Sequence, residues 1–474
     1  MPRLSPRHFL VAAALLALGG CAYTPEDPAS VAEISPPAAW QNAEKIADTA
    51  ALSSEQLAAW WQQFNDPTLD QLIDTALQNS PDIQTALSRI AESRARRGVE
   101  KAALLPTLSG NLSAKESYNR DHNTHTTTSG DSYAAGLDAS WEIDLFGKNR
   151  AALAAADADL RETEENFYYA QVSLAAEIAT TYITLRSTEE QLAVVERTLA
   201  TRTETTQLAQ WKEEAGTGDA LDAQQAVSTL EQARATIPAL QRTIVQTRNQ
   251  LCVLLGQTPG SLDASLSSGQ KLPAAPARFA AALPVETLRQ RPDSRAAEQA
   301  FFAAFQRTKA AELERLPTLN LSGSIGVEAL RAGDLFSPDA TIGSLLAGLT
   351  APIFQGGRID QNIAIQNEQQ KQAALSYKGT VLTTLSEVED ALIAVQKTAD
   401  RITTLEKAAT AAREADQLAG IRYEAGDIDI SAVLDTQRTL LSLEEQLVAA
   451  RADLLSAYVQ LYKSLGGGWT PLAA

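Results

Sequence analysis

The sequence predicts a mainly α-helical chain that also carries four membrane-crossing β-strands and is built as two copies of one unit. Three observations predict this fold class: landmarks that recur about 210 residues apart, segments in which the hydrophobic period changes to two, and two long proline-free heptad segments. Aromatic residues make up only 5% of the chain, which favours long helices over a conventional mixed core.

The duplication is visible as pairs of landmarks separated by a nearly constant 208 to 211 residues. The separation is 211 at the start of each copy, 208 after the predicted strands and 210 at the end, so one loop of the second copy is three residues shorter. The pairs are Pro81-Asp82 and Pro292-Asp293, Leu105-Pro106-Thr107 and Leu316-Pro317-Thr318, Phe146 and Phe354, Ala215-Gly216 and Ala425-Gly426, and Leu255-Gly256 and Leu465-Gly466.

Strands are expected at about 105–118, 132–145, 316–327 and 342–353, where apolar and polar residues alternate. In the second of them one face is apolar from Tyr133 to Leu145, whereas the other carries Asp138, Glu142 and Asp144. About ten residues suffice for a tilted strand to cross a bilayer. The alternation alone also fits soluble hairpins. The polar segment 119–131 is expected to be an extracellular loop.

Four strands cannot close a barrel, because small membrane barrels begin at about eight strands. An open sheet edge is not tolerated in lipid, where each unpaired backbone group costs several kcal/mol. If these strands cross a membrane, several copies of the chain must therefore share one barrel.

Long helices are expected at about 149–212 and 357–423, each on the order of 100 Å long at about 1.5 Å per residue. Apolar residues recur at heptad spacing in both, which indicates coiled-coil packing. Each long helix leads to a glycine turn and then to a return helix that ends near Gly256 or Gly466, and Pro238 is expected to kink the first return helix. The heptad residues are Leu153, Leu160, Phe167 and Leu174, then Ile178, Leu185, Leu192 and Leu199, and in the second copy Val381, Val388, Val395 and Ile402.

The first residues have the layout of a bacterial secretory signal peptide: two arginines, an uncharged run too short to span a bilayer, and Leu18-Gly19-Gly20-Cys21. This ending resembles a lipobox, which implies that Cys21 is acylated and becomes the first residue of the mature chain. The alternative is an ordinary signal peptide with a chance cysteine. Ala22 rather than Asp after the cysteine implies, by the same resemblance, sorting to the outer membrane.

The formal net charge is −18, and removal of residues 1–20, which contain two arginines and no acid, takes it to −20. An acidic surface repels phosphate backbones and argues against nucleic-acid binding. No catalytic constellation, phosphate loop or cysteine pair is found, so we expect neither an enzyme nor a cofactor other than the lipid. His122 and His125 would make only a weak metal site, and Cys252 is expected to be a buried hydrophobe.

Several strings resemble the outer-membrane efflux protein family of TolC-like channels, and within it the NodT-type lipoproteins. They are WWQQFNDPTLDQLI at 60–73, ALQNSPDI at 76–83, WEIDLFG at 141–147, PIFQGGR at 352–358, and RY at 422–423 followed by LDTQR at 434–438. The resemblance covers nearly the whole chain from Cys21.

The resemblance implies a homotrimer in which three four-stranded sheets form a twelve-stranded barrel, continued by a long periplasmic barrel of helices. It also implies a periplasmic adaptor and a proton-driven inner-membrane transporter of the resistance-nodulation-division type. The expected function is passive exit of drugs, other small toxic compounds or metal ions through a channel lined by Asp138, Glu142 and Asp144.

On this basis six segments are expected. They are a signal peptide at 1–20, an acylated segment at 21–65, the first efflux repeat at 66–265, a linker at 266–283, the second repeat at 284–466 and a tail at 467–474.

The resemblance places a gate at the periplasmic end of the helices. It implies that Asp435, and with it Arg438, lies at the constriction, and Asp222 is the equivalent residue of the first repeat. Where the family often has an acidic or bulky apolar residue one turn earlier, this chain has Ser431 and Ala432, so Asp427 and Asp429 are further candidates. The alternative is that Asp435 and Arg438 form an ordinary surface pair.

Two other functions are compatible with the pattern. The first is a periplasmic coiled-coil lipoprotein that acts as a scaffold or adaptor, with its alternating segments folded as soluble hairpins. The second is an outer-membrane channel for type I protein secretion, which the lipobox and the segment from Trp60 to Asp70 disfavour.

Overall fold

The computed structural model describes residues 37–42, 54–120, 127–266, 271–276 and 284–471. The predicted signal peptide, the lipid attachment site Cys21, and His122 and His125 lie outside the described residues. Among the described helices, none has both the length and the hydropathy needed to cross a membrane.

The first copy begins with a short helix, α1 (Ser54–Ala58), and a 3₁₀ turn (Trp60–Phe64). It continues with α2 (Pro67–Asn79), α3 (Pro81–Ala102), β1 (Thr107–Arg120), β2 (Thr127–Ile143), α4 (Lys148–Glu214) and α5 (Ala220–Leu254). The second copy comprises α6 (Pro284–Gln290), α7 (Pro292–Leu313), β3 (Thr318–Ala329), β4 (Thr341–Thr350), α8 (Arg358–Glu424) and α9 (Ile430–Ser464).

The two copies have helices of equal length: α3 and α7 have 22 residues each, α4 and α8 have 67, and α5 and α9 have 35. At about 1.5 Å per residue the long helices extend roughly 100 Å. Helix α5 continues through Pro238 as one helix. The predicted duplication and the long coiled-coil helices are therefore confirmed.

The four strands form one antiparallel sheet in the order β1-β2-β3-β4. One row of partners joins Leu108, Ala139, Gly323 and Leu345, and these residues lie on the apolar face. On the opposite face the corresponding row is Ser109, Asp138, Ser324 and Ser344. The sheet therefore separates an apolar from a polar surface, and β1 and β4 are its edges.

The strand bounds differ from the predicted ones where polar residues or proline intervene. Strand β2 begins at Thr127, so much of the segment predicted as a loop is paired backbone. Pairing requires no apolar side chains, and the hairpin extends beyond the apolar band for this reason. Strand β4 ends at Thr350, shortly before Pro352, which has no N–H to donate to a ladder.

The main core lies where the segment from Trp60 to Ile90 packs against the middle of α4 and the C-terminal ends of α5 and α9. The Trp60 ring is fully buried and stacks on Tyr462 with a centroid separation of 5.5 Å. Tyr182 donates its hydroxyl to Asp66 Oδ2 at 2.8 Å. The tryptophan-containing string at 60–73 therefore anchors the segment before α3 to the end of α9.

Candidate functional site

Each long helix ends in a glycine turn of the same geometry, which defines the tip of the molecule. Gly216 has φ 69° and Gly426 has φ 81°, the left-handed conformation that terminates helices. Asp219 caps α5 by accepting the N–H of Leu221 at 3.1 Å, whereas Asp429 precedes α9 without a capping bond from its side chain. The carboxylate of Asp429 is exposed.

An apolar cluster next to the turns contains residues of α4, α5, α8 and α9. This tip cluster contains Tyr423 and Ala419 from α8, Ile430, Val433 and Leu434 from α9, Ala209 from α4 and Ala226 from α5. It is the lowest part of the seam, the interface at which the coiled coil of α4 and α5 meets the coiled coil of α8 and α9. Because both coils contribute, any relative movement of the two coils at the tip must disturb it.

A cation binds the ends of the two long helices to each other. Lys212 Nζ, near the end of α4, donates to the Tyr423 carbonyl at 2.8 Å and lies 3.8 Å from the centre of the Tyr423 ring. Burial, and after it the negative charge of Asp222, raises the pKa of the Tyr423 hydroxyl. Asp222 is thus placed near Tyr423, at the junction of the two coils.

Asp435 and Arg438 form the i,i+3 pair that was the alternative to a gate role. Arg438 Nη1 donates to Asp435 Oδ1 at 2.9 Å, and the two side chains are 66% and 71% exposed. Neither points into the seam of its own chain, so both remain accessible to another molecule. Asp427 is exposed as well. The assignment of Asp435, Arg438, Asp222, Asp427 and Asp429 to a gate stays a prediction.

The residue of the LDTQR string that enters the seam is Gln437. Its side chain is 4% exposed, and its Nε2 donates to Thr205 Oγ1 of α4 at 2.9 Å. One turn earlier on α4, the buried Arg202 donates to the Thr229 carbonyl of α5 at 3.1 Å. Thr436 donates to Asp416 Oδ1 of α8 at 3.1 Å. We call these six residues, Arg202, Thr205, Thr229, Asp416, Thr436 and Gln437, the polar layer.

Burial in this layer changes proton affinities. It raises the pKa of Asp416, which the hydrogen bond from Thr436 and the charge of Arg202 oppose in part. Burial, followed by the charge of Arg438, lowers the pKa of Arg202, whereas Glu445 acts in the opposite direction. Burial therefore disfavours the charged form of both residues.

Heptad spacing contained a signal for this layer that the sequence analysis missed. Arg202 lies seven residues after Val195 and seven before Ala209, which are 1% and 3% exposed, so it occupies a core position. Leu192 and Leu199, named as core residues from the sequence, are only half-buried. A polar residue such as Arg202 at a core heptad position was therefore the sequence pattern that indicated a polar layer.

The acids predicted to line a channel have different surroundings. Asp138 is exposed on the polar face of the sheet. Glu142 pairs with Lys148 Nζ at 2.7 Å. Asp144 lies beyond the end of β2, accepts the backbone N–H of Gly147 at 2.9 Å and pairs with Arg150. Asp144 therefore helps to start α4, and the lining role of all three stays a prediction.

In the described ranges, no group of three or more His, Cys, Asp or Glu side chains is arranged to hold a metal ion. The features with functional potential are consequently the two-faced sheet with its edges and the seam at the helical tip.

A two-faced antiparallel sheet continued by two pairs of long helices defines a class of protein, the TolC-like outer-membrane channels. Sequence comparison makes the assignment specific, since the outer membrane efflux protein family matches residues 72–257 and 283–467, one stretch in each copy. The chain belongs to this family.

Individual relatives match over nearly their whole length. The pyoverdine export outer membrane protein OpmQ of Pseudomonas putida is 31% identical over 98% of this chain and 98% of that protein. The toluene efflux pump outer membrane protein TtgF, also from Pseudomonas putida, is 30% identical with the same coverage.

Two solved structures extend the similarity to the fold. The outer-membrane channel OprN superposes with a TM-score of 0.86 at 31% identity, covering 95% of this chain and 100% of that chain. The open state of the MtrE channel of Neisseria gonorrhoeae superposes with a TM-score of 0.81 at 28% identity, covering 94% and 98%. The chain is therefore an outer-membrane efflux protein with a large periplasmic portion, and the predicted family, fold class and efflux function are confirmed.

Proposed function

We propose that the chain forms a passive homotrimeric exit duct, in which three four-stranded sheets close one twelve-stranded barrel and the long helices continue as a periplasmic tube. The observation that carries the proposal is the sheet itself. Its apolar face exposes Leu108, Leu112 and Leu345 at 70%, 82% and 79%, and both of its edges are unpaired in the single chain. Lipid accommodates such a face and excludes such edges, so closure with other copies satisfies both demands.

The height of the apolar band supports the proposal. On β2 the outward residues from Tyr133 to Ile143 extend about 33 Å along the strand at about 3.3 Å per residue. At a tilt of about 40° this corresponds to a band about 25 Å tall, the height of the lipid-facing belt of outer-membrane barrels. Aromatic residues lie near both ends, Tyr133 at one and Trp141 at the other, as in the girdles of such barrels.

The duct would take compounds from an inner-membrane transporter of the resistance-nodulation-division type, with a periplasmic adaptor holding the helical tips. The tips supply exposed acids and glycine turns for such a contact. Transport itself would require no catalysis by this chain, because solutes leave down their gradient. The proposed cargo is small organic toxic compounds or metal ions, and the relatives named for export of pyoverdine and toluene support the organic class.

We further propose that Cys21 carries the lipid that anchors the mature N-terminus to the outer membrane. Several acyl chains on one residue make a firm anchor, since each buried methylene contributes about 0.8 kcal/mol. Replacing Cys21 with Ser should abolish metabolic labelling with palmitate. Labelling that persists in the variant would refute the anchor.

Closure between chains is tested directly at the sheet edges. Within one chain β1 and β4 are three strand spacings apart, about 14 Å at about 4.8 Å each, too far for a disulfide. Ser109→Cys is combined with single cysteines along 341–350 and oxidised in native membranes. Covalent ladders ending at three chains are expected at matching registers, and a sheet that yields only monomers at every position would refute the shared barrel.

The efflux role is tested by deleting the gene and measuring susceptibility to dyes, antibiotics and metal ions. Increased susceptibility that the wild-type gene reverses is expected. Unchanged susceptibility together with loss of an exported protein from the medium would favour the secretion channel instead.

A further inference from the structure

We propose that the polar layer is the place where the seam between the two coiled coils yields when the tip opens, and that Gln437 sets how readily it yields. The inference rests on the proposed exit duct and concerns the residues that control its opening. It assigns a positioning role to residues inside the seam of a single chain, in addition to the exposed acids predicted for the constriction.

The location of the layer supports this role. Gln437 lies seven residues, two helical turns, after Ile430 of the tip cluster. Its hydrogen bond to Thr205 joins α9 to α4 across the seam. The two coils cannot separate at the tip without stretching or breaking this bond. If the two coils separate from the tip, the bond between Gln437 and Thr205 is therefore the polar contact next to the apolar tip cluster that must break.

The layer is also incompletely satisfied in the structure, in which the two coils are in contact. Gln437 Oε1 and Arg202 Nε are buried and have no hydrogen-bond partner among the described residues. The two side chains are 4% and 5% exposed. A buried polar atom without a partner raises the free energy of the closed seam, and water reaches such atoms once the helices part. Hydration thus lowers the cost of opening at this level.

The core positions of α4 one heptad before and one heptad after this layer are apolar. Val195 and Ala209, one heptad on either side of Arg202, are buried apolar residues, and their separation would expose hydrocarbon to water. A single polar layer in an apolar coiled coil reduces stability in return for a defined register. Here the polar layer would fix the register of the two coils when they are in contact. It would also fix the position along the helices at which they separate.

The other half of the duplication provides an internal control. In the string LDAQ at 221–224, Gln224 has the same local sequence around it as Gln437 in LDTQ at 434–437, although the 210-residue offset between α5 and α9 aligns it with Leu434. Gln224 is exposed on α5, whereas Gln437 is buried in the seam. Equivalent substitutions at the two positions therefore separate an effect of the seam from a general effect of the residue change.

The experiment measures the open probability of the purified full-length protein in planar lipid bilayers. Gln437→Leu removes the unpaired Oε1 together with the bond from Nε2 to Thr205. Because a buried polar atom without a partner costs more than a single neutral hydrogen bond contributes, the variant should lower the open probability about tenfold. Gln437→Lys adds a buried cation close to Arg202, which Arg438 already repels, and should raise the open probability. Gln224→Leu and Gln224→Lys should behave as the wild type.

A cross-link provides a second test, for the case in which Gln437→Leu or Gln437→Lys fails to assemble. Thr205→Cys with Gln437→Cys, in a Cys252→Ala background, is joined by a short bifunctional thiol reagent after the protein has folded. The joined channel should stay at low conductance, and reduction of the link should restore opening.

The outcomes separate the inference from the proposed function. The inference would be overturned, while the duct stands, by any of three results. The Gln437 variants could have the open probability of the Gln224 variants, both Gln437 variants could shift in the same direction, or the cross-linked channel could open normally. A wild-type protein that conducts no ions would overturn the duct and the inference together.

Discussion

Replacing Lys212 with Met tests how strongly the ends of the two long helices hold each other. In the structure Lys212 Nζ contacts Tyr423 twice, through its carbonyl at 2.8 Å and above its ring at 3.8 Å. Met retains most of the apolar stem and removes the charge, so packing changes little. Both contacts are lost in any state in which the tips move apart, and their removal should therefore favour that state.

The size of the effect follows from the two contacts. A hydrogen bond that involves a charged group contributes about 1.5 to 3 kcal/mol, and a cation–π contact contributes about 0.5 to 2 kcal/mol depending on solvent exposure. Lys212 is half-buried, so the lower values apply and sum to about 2 kcal/mol. Since 1.4 kcal/mol corresponds to a factor of ten, opening should become about 30-fold more favourable.

Single-channel recording in planar bilayers measures this change as open probability. Lys371→Met is the matched control, because Lys371 is an exposed lysine of α8 whose Nζ lies 3.9 Å from Glu368 Oε2, at the outer limit of an ion pair. Lys212→Arg keeps a cation and should lie between the wild type and Lys212→Met. An open probability of Lys212→Met equal to that of Lys371→Met would refute the reasoning.

Three further predictions concern the gate, the sheet and the polar layer. Asp435→Ala should raise single-channel conductance, and unchanged conductance would remove Asp435 from the gate. Gly326→Ala should destabilise the sheet by about 1 to 3 kcal/mol in urea unfolding, because its Cβ would lie 2.6 Å from the Ala135 carbonyl oxygen. Gly348→Ala, whose Cβ would meet no atom within 4 Å, serves as its control, and equal midpoints would contradict the steric argument. Asp416→Asn should raise the thermal midpoint at pH 7, because burial raises the pKa of Asp416 and so disfavours its ionised form in the folded state. That gain should shrink as the pH falls through the folded pKa, where the wild-type carboxyl takes up its proton, and a gain independent of pH would rule out this cause.

Most of the fold was predictable because it depends on periodicity, which the sequence displays directly. The predicted helices at 149–212 and 357–423 correspond to Lys148–Glu214 and Arg358–Glu424 in the structure. The start of β2 was not predictable from alternation, since the residues from Thr127 to Asp131 include no apolar side chain that would mark one face, yet they pair with β1 through the backbone.

The candidate site was less accessible to sequence reasoning. The sequence analysis predicted roles for the charged residues of the LDTQR string, whereas the neutral Gln437 is the one that enters the seam. Val195, Arg202 and Ala209 continue the seven-residue ladder of Leu153, Leu160, Phe167 and Leu174, but the sequence analysis followed the complementary ladder from Ile178 to Leu199 and passed over the polar residue in the first. Neighbouring residues of a helix point about 100° apart, so Gln437 is buried in the seam while Arg438 beside it is exposed.

The unpaired edges of β1 and β4 have a consequence for inheritance of defects. A chain with two open edges has no stable place in hydrocarbon by itself, so its insertion depends on the partners it finds. In the proposed trimeric duct, a variant whose helices fold but whose strand is defective would still assemble with normal chains and would prevent closure of the barrels that it joins. Such alleles should be dominant over the wild type, whereas alleles that prevent the chain from being made should be recessive.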